Sequence, residues 1–301
     1  MSFSSDVKTE LCKEAVRVKS LAVAEAYGVL LYCNTFSKDE VRIITESRPF
    51  AMRLQKLFNR AFGFSFDAET GDYDREDSKL SFFITDAVKL AQIFETFGYS
   101  PDKMLAHHIN LSVLEEEGCQ VAFVRGAFLA GGSVTAPEKR YHLELVTDHY
   151  NVNSEMFSIL LELDTSPKKT SRGGNYVLYF KQSETIEDFL TLLGAPVSAM
   201  EIMSMKVEKE LRNSVNRRVN CDTANAGKTV EAAAEQMKAI GLIEAGAGLA
   251  SLPEKLRDTA ELRLLYPEAS LSELAAHSSP PITKSCLNHR IRKLIEISKL
   301  S

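Results

Sequence analysis

The segment Phe123 to Val134, FVRGAFLAGGSV, places Gly126, Ala127, Ala130 and Gly131 at small-xxx-small spacing. Such a face lets two helix backbones approach where larger side chains would hold them apart, so it wants a partner helix. On spacing alone, an ordinary buried helix ending at a glycine cap, Gly131 or Gly132, is the favoured account. A second copy tips the balance. Ala26 to Phe36, AYGVLLYCNTF, aligns Gly28 with Gly126, 98 residues apart, a long-period duplication. The first copy is followed by Glu40 to Ser47, Arg48 to Gly63 and Lys79 to Gly98; the second by Tyr141 to Asp148, Asn151 to Leu163 and Asn175 to Gly194. Each half therefore reads helix, strand pair, helix, strand pair, helix, which predicts an α+β domain with two sheets related by a pseudo-two-fold axis.

This pattern resembles the LAGLIDADG homing-endonuclease fold. The match keeps the close-contact glycine (Gly126), the terminal glycine (Gly132) and the small residue after it (Ser133). The resemblance implies a catalytic divalent ion held by an acid just before the terminal glycine, but the matching positions are Gly131 in the second copy and Cys33 in the first. A hard, oxygen-loving cation has no ligand at either. No catalytic residue, metal or cofactor is expected. Of the remaining carboxylates, Glu144 and Asp148 sit on a predicted strand with no evident match in the first half.

Charge has to be divided to be informative. The net value of −5 separates into 15 Lys and Arg against 13 Asp and Glu in residues 196–301, a balance of +2, and 21 against 28, or −7, before them. Much of the acidity lies in DAETGDYDRED (Asp67 to Asp77), read as a loop, whereas the corresponding TSPKKTSRGGN is basic through Lys168, Lys169 and Arg172. Carboxylates at one tip repel phosphate, so nucleic-acid contact by the duplicated domain should be lopsided or absent. Five cysteines without a CxxC pair suggest neither disulfides nor zinc, and no apolar run has signal-peptide or membrane-spanning character. A cytoplasmic protein is expected. The adjacent His107 and His108 read as a surface or capping pair, and the glycine pairs in GGSV and SRGGN lack the lysine of a phosphate loop.

From Pro196 to about Lys228 the chain reads as a basic helical linker, with Arg217 and Arg218 beside several asparagines. A solvated face is the bland reading, and a phosphate-contacting element the functional one. Compact helices follow. One starts at Pro253 with an apolar stripe of Leu256, Ala260, Leu262, Leu264 and Leu265; a capping box at Ser270 and Glu273 starts a second. In a third, after HSSPP, Cys286, Leu287, Ile291, Leu294 and Ile295 are expected to face inwards. Its other face carries Lys284, Ser285, Asn288, His289 and Arg292 in one stripe, flanked by Arg290 and Lys293. Short donors near a helix start with arginines beyond suit a recognition helix in the major groove; a solvated basic helix is the alternative.

RGAFLAGGSV, NRRVNCDTANAGK, LPEKLRDTAELRLLYPEASLSELA and PPITKSCLNHRIRKL together resemble the WhiA family of sporulation and cell-division regulators. The resemblance implies a degenerate, duplicated LAGLIDADG-like domain (1–195, halves 1–115 and 119–195), the linker 196–228 and an all-α helix-turn-helix domain (229–301). It also implies a non-enzymatic, nucleoid-associated transcription regulator of double-stranded DNA, connected with cell division, chromosome segregation and, in spore-formers, sporulation. An alternative is a division-associated interaction protein, with a protein partner on the duplicated domain and the C-terminal domain as its DNA anchor. No membrane partner is expected.

Overall fold

The computed structural model describes residues 2–73, 75, 78–100 and 106–299. It divides into two compact units, Met1–Lys209 and Glu210–Ser301.

The first unit opens with α1 (Phe3–Leu11), followed by α2 (Lys19–Tyr32), β1 (Thr35–Phe36), β2 (Val41–Thr45), α3 (Arg48–Phe62), β3 (Ala68–Thr70), β4 (Leu80–Ile84) and α4 (Ala87–Thr96). The succession then repeats as α5 (Cys119–Gly131), β5 (Gly132–Val134), β6 (Leu143–Thr147), α6 (Tyr150–Glu162), β7 (Lys168–Arg172), β8 (Asn175–Phe180) and α7 (Ser183–Leu193). The sheets run β1-β2-β4-β3 and β5-β6-β8-β7, the same order twice, with antiparallel neighbours throughout. Register agrees as well: Thr45 lies opposite Leu80, and its counterpart Thr147 opposite Tyr176.

The two copies meet through α2 and α5, and glycine sets the distance. A Cβ on Gly28 would fall 2.0 Å from the Phe123 carbonyl oxygen, and one on Gly126 would fall 2.0 Å from that of Glu25. Positions 28 and 126, like 25 and 123, are 98 apart, so the contact is reciprocal. Around this seam lies a core that includes Tyr27, Phe58, Phe94, Phe123 and Phe128. It also holds an ion pair that the sequence does not announce. Glu25, 3% exposed, takes Arg53 of α3 through Nε at 2.5 Å and Nη2 at 2.7 Å, and Arg125 of α5 at 3.5 Å. One carboxylate on α2 thereby ties a helix from each half, and its charge is paired rather than left bare in the core.

Two stretches read as loops contain strands. β3 and β7 are edge strands whose residues are all exposed, so neither shows the alternation that marks a half-buried strand. Asp67, just before β3, accepts from Lys89 Nζ at 2.5 Å and from the Thr85 and Asp86 amides at 2.7 Å, which fixes its carboxylate in place. Asp74, Glu76 and Asp77 of the acidic run lie outside the described residues. Of the histidine pair, His108 is exposed and His107 half-buried: the Nε2 of His107 is 2.8 Å from the Phe36 carbonyl oxygen and its ring lies 4.5 Å from that of His149. Burial, with His149 beside it, holds its pKa below the usual histidine value.

The next helix, α8 (Pro196–Ala245), starts at the first position where the sequence reading divides the chain, 195/196, and runs unbroken for 50 residues through the second, 228/229. Glu10 of α1 caps its start, accepting from the Val197 and Ser198 amides at 2.8 and 2.9 Å, where an anion also complements the helix dipole. In the second unit α8 contributes Ile240 and Ile243 to a small core with α9 (Glu254–Leu265), α10 (Leu271–His277) and α11 (Lys284–Ser298). The capping box forms as expected, with Ser270 Oγ accepting from the Glu273 amide and Glu273 accepting from that of Ser270. Leu265 is 69% exposed, against expectation, and Arg263 is buried on α9 instead. Its Nη1 donates to the Ala269 carbonyl at 2.6 Å, tying down the turn after α9, a role no apolar pattern reveals.

Candidate nucleic-acid interface

Thr283 starts α11 by accepting the Cys286 amide at 3.2 Å. Leu287, Ile291 and Leu294, at i, i+4 and i+7, share one helical face and are buried in the second core. Lys284, Ser285, His289, Arg292 and Lys293 are exposed, and Asn288 and Arg290 are half-buried at the edges of the face. Cys286 is exposed rather than inward: one position before Leu287, it turns about 100° away from the buried stripe. Lys284, Arg290, Arg292 and Lys293 enter no ion pair among the described residues. Between α10 and α11 the turn is held by the Ile282 amide, which donates to the Ala275 carbonyl at 3.1 Å. The result is a helix anchored on one side with uncommitted donors on the other. On α8, Arg217 and Arg218 are exposed, well away in sequence.

The ends of α2 and α5, where the LAGLIDADG resemblance implies a divalent ion, do not fit one. Cys33 donates its thiol to the Leu30 and Thr35 carbonyls at 3.2 Å, and burial pushes its pKa up to about 12, so it stays neutral. Gly131 has no room for a side chain: a Cβ would lie 2.7 Å from the Val146 carbonyl oxygen and 2.9 Å from the Tyr32 ring. The strand register corrects one expectation here. Asp148, directly after β6, does have a counterpart, Glu46 after β2. Glu46 lies 4.0 Å from Lys79 and Asp148 3.3 Å from His149, each set on an exposed rim. Glu144 is held between His142 at 3.2 Å and Arg172 at 3.4 Å.

The basic run of the second sheet is partly committed within the unit. Lys169 Nζ stands 3.8 Å over the Phe157 ring, and Arg172 reaches Glu144. On α11, by contrast, Lys284, Arg290, Arg292 and Lys293 enter no ion pair among the described residues.

Two family models match the chain: the WhiA LAGLIDADG-like domain over residues 120–212 and the WhiA C-terminal HTH domain over 215–298. A probable cell division protein WhiA from Clostridium botulinum is 36% identical, over 99% of this chain and 98% of its own. The chain belongs to the WhiA family. Its relative in Ruminiclostridium cellulolyticum, of the same description, is 38% identical over 99% of this chain and 97% of that one. The crystal structure of full-length DUF199/WhiA from Thermatoga maritima superposes with a TM-score of 0.60 at 25% identity, covering 99% of this chain and 98% of that one. The fold class read from the sequence, a duplicated LAGLIDADG-like domain followed by a helical HTH domain, is the one observed. Among the described residues no helix is long and apolar enough to cross a membrane.

Proposed function

We propose that this WhiA-family chain is a sequence-specific, DNA-binding transcription regulator connected with cell division, and that it has no nuclease activity. The single observation that carries this reading is α11, whose inner face is fixed by Leu287, Ile291 and Leu294 while its outer donors are unpaired. In a major groove, Ser285, Asn288 and His289 are the candidates for base edges, and Lys284, Arg290, Arg292 and Lys293 for phosphates. Arg217 and Arg218 add phosphate contacts from α8. Residues 229–301 contain every buried side chain of the second core, which supports them as the piece that holds α11. The names of the relatives support a role in cell division. Chromosome segregation, sporulation in spore-forming hosts and a nucleoid location are finer parts of the same proposal.

The neutral thiol of Cys33 and the filled space at Gly131 support loss of cleavage, since a two-metal or single-metal route needs hard oxygen ligands there. Genome-wide mapping of bound DNA, followed by titration of the purified full chain on a mapped fragment and a scrambled one, tests the function. Enrichment at promoters with preferential binding in vitro is expected. Uniform genomic signal and equal affinity for both fragments would overturn it.

A further inference from the structure

The middle of α8, Leu211 to Lys228, is exposed at every residue. Its composition is unsuited to a helix standing free in water. Four asparagines, two valines, Asp222, Thr223 and Gly227 all rank low in helix propensity, and most helical stability in proteins comes from packing on an apolar face. No such packing is present. Gly227 is the sharpest case: a Cβ there would meet open space, so nothing in the chain requires a missing side chain that weakens the helix.

The segment is two-sided. Arg212, Asn213, Asn216, Arg217, Asn220 and Gly227 share one half of the helix by their spacing, and Leu211, Val215 and Val219 share the other. Arg212, Arg217, Arg218 and Lys228 stand against Asp222, a balance of +3 in a chain of net charge −5. None of these arginines enters an ion pair among the described residues, and Arg217 Nε donates to the carbonyl of Asn213 on its own helix, 3.3 Å away.

We propose that the Arg–Asn half of this segment is a second DNA-binding element, one that lies along a duplex and grips its phosphates; the proposal rests on the DNA-binding reading given above. Charge complementarity selects a polyanion, and amides alternating with guanidinium groups supply donors that hold backbone phosphates without reading bases. Gly227 lets the helix backbone approach the strand closely, and the duplex supplies the ordering surface that the chain itself lacks. At about 1.5 Å per residue the segment is about 27 Å long, enough to run beside about eight base pairs.

The test uses the full chain and two duplexes of equal length, one carrying a genomically mapped site and one scrambled. Three variants are compared: Asn213→Ala with Asn216→Ala and Asn220→Ala; Gly227→Ala; and, on the opposite half, Val215→Ala with Val219→Ala. Every one raises helix propensity, so a loss of binding cannot come from unfolding the segment. The triple asparagine variant should lose about tenfold or more on both duplexes alike, from three hydrogen bonds to phosphate. Gly227→Ala should weaken both in the same way, the valine variant should match the wild type, and amide exchange over 211–228 should slow when either duplex is added. Amide-face variants that bind like the wild type, or a valine variant that loses as much, overturn this inference and leave the function of α11 standing. A wild-type chain that binds neither duplex overturns both.

Discussion

Glycine has opposite meanings in two regions of this molecule. At the α2–α5 seam, Gly28 and Gly126 each face a carbonyl oxygen that a Cβ would strike at 2.0 Å, so the packing of the chain itself dictates the residue. In the middle of α8, Gly227 faces open space and nothing in the chain dictates it. The seam is internally determined and tolerates almost no change, whereas the exposed segment is not held by packing within the chain, in line with the phosphate contact proposed above. The seam glycines are thus required by the fold, whereas Gly227, like Gly241 further along α8, is not.

The same substitution at the two places should have opposite signs. Gly126→Ala forces the helices apart and should cost about 3 kcal/mol or more, by overpacking against a backbone that cannot yield. Gly227→Ala should stabilise the free protein by about 0.5–1 kcal/mol, because alanine is the better helix former and meets no neighbour. Native-state hydrogen exchange, read over α2 and α5 for the first and over α8 for the second, measures both. Two effects of the same sign would remove the contrast.

The seam also depends on its buried charge. Arg53→Met leaves Glu25 with Arg125 alone, at 3.5 Å, and should destabilise the first unit by about 3 kcal/mol, as expected when a buried pair loses one partner. Urea unfolding of this variant should show its loss in the first unit, with protection of α9–α11 unchanged. At the ends of the two seam helices no gain of activity is expected. Restoring acids by Cys33→Asp with Gly131→Asp should not produce metal-dependent nicking of a supercoiled plasmid, because position 131 has no space for the side chain. Nicking by the wild type, abolished by removing one carboxylate, would contradict this reading.

The smallest predicted effect is on pH dependence. His107 has its folded pKa held down by burial and by His149, so the unfolded chain binds more protons in that range. Its contribution to stability is fully present above the unfolded histidine value and is lost as pH falls through that value towards the lower folded one. The first unit should therefore melt at a lower temperature at mildly acidic pH than at neutral pH, and His107→Gln should reduce the difference. An unchanged slope would show that His107 is not responsible.

Much of the fold was legible because glycine at close-contact spacing occurs twice, followed by the same order of apolar patterns. What escaped had no periodic signature. β7 is exposed at every residue, so Lys168 to Arg172 reads as loop, and β3 is hidden in the acidic run for the same reason. The length of α8 was hidden by its asparagines and Gly227, which locally oppose a helix. Glu25–Arg53, Glu10 on the start of α8, and Arg263 behind α9 join residues whose pairing depends on the tertiary fold or on an irregular turn. The donor face of α11 was readable because a short helix on a small core must divide into buried and exposed halves. Cys286 and Leu265 show the limit, since one residue of helical phase separates a buried position from an open one.

In the proposed function α11 reads sequence while basic elements elsewhere hold the duplex. Titrating the wild type, Asn288→Ala, and Arg217→Ala with Arg218→Ala on a mapped fragment and a scrambled one, at several salt concentrations, tests it most directly. Asn288→Ala should cost about 1–3 kcal/mol on the mapped site and leave scrambled DNA nearly unchanged. The double arginine variant should weaken both alike and flatten the log–log salt slope by about one unit for each phosphate that is no longer neutralised. If Asn288→Ala lowers both affinities equally, or leaves both untouched, α11 is not the reader, and its basic face is simply a solvated one.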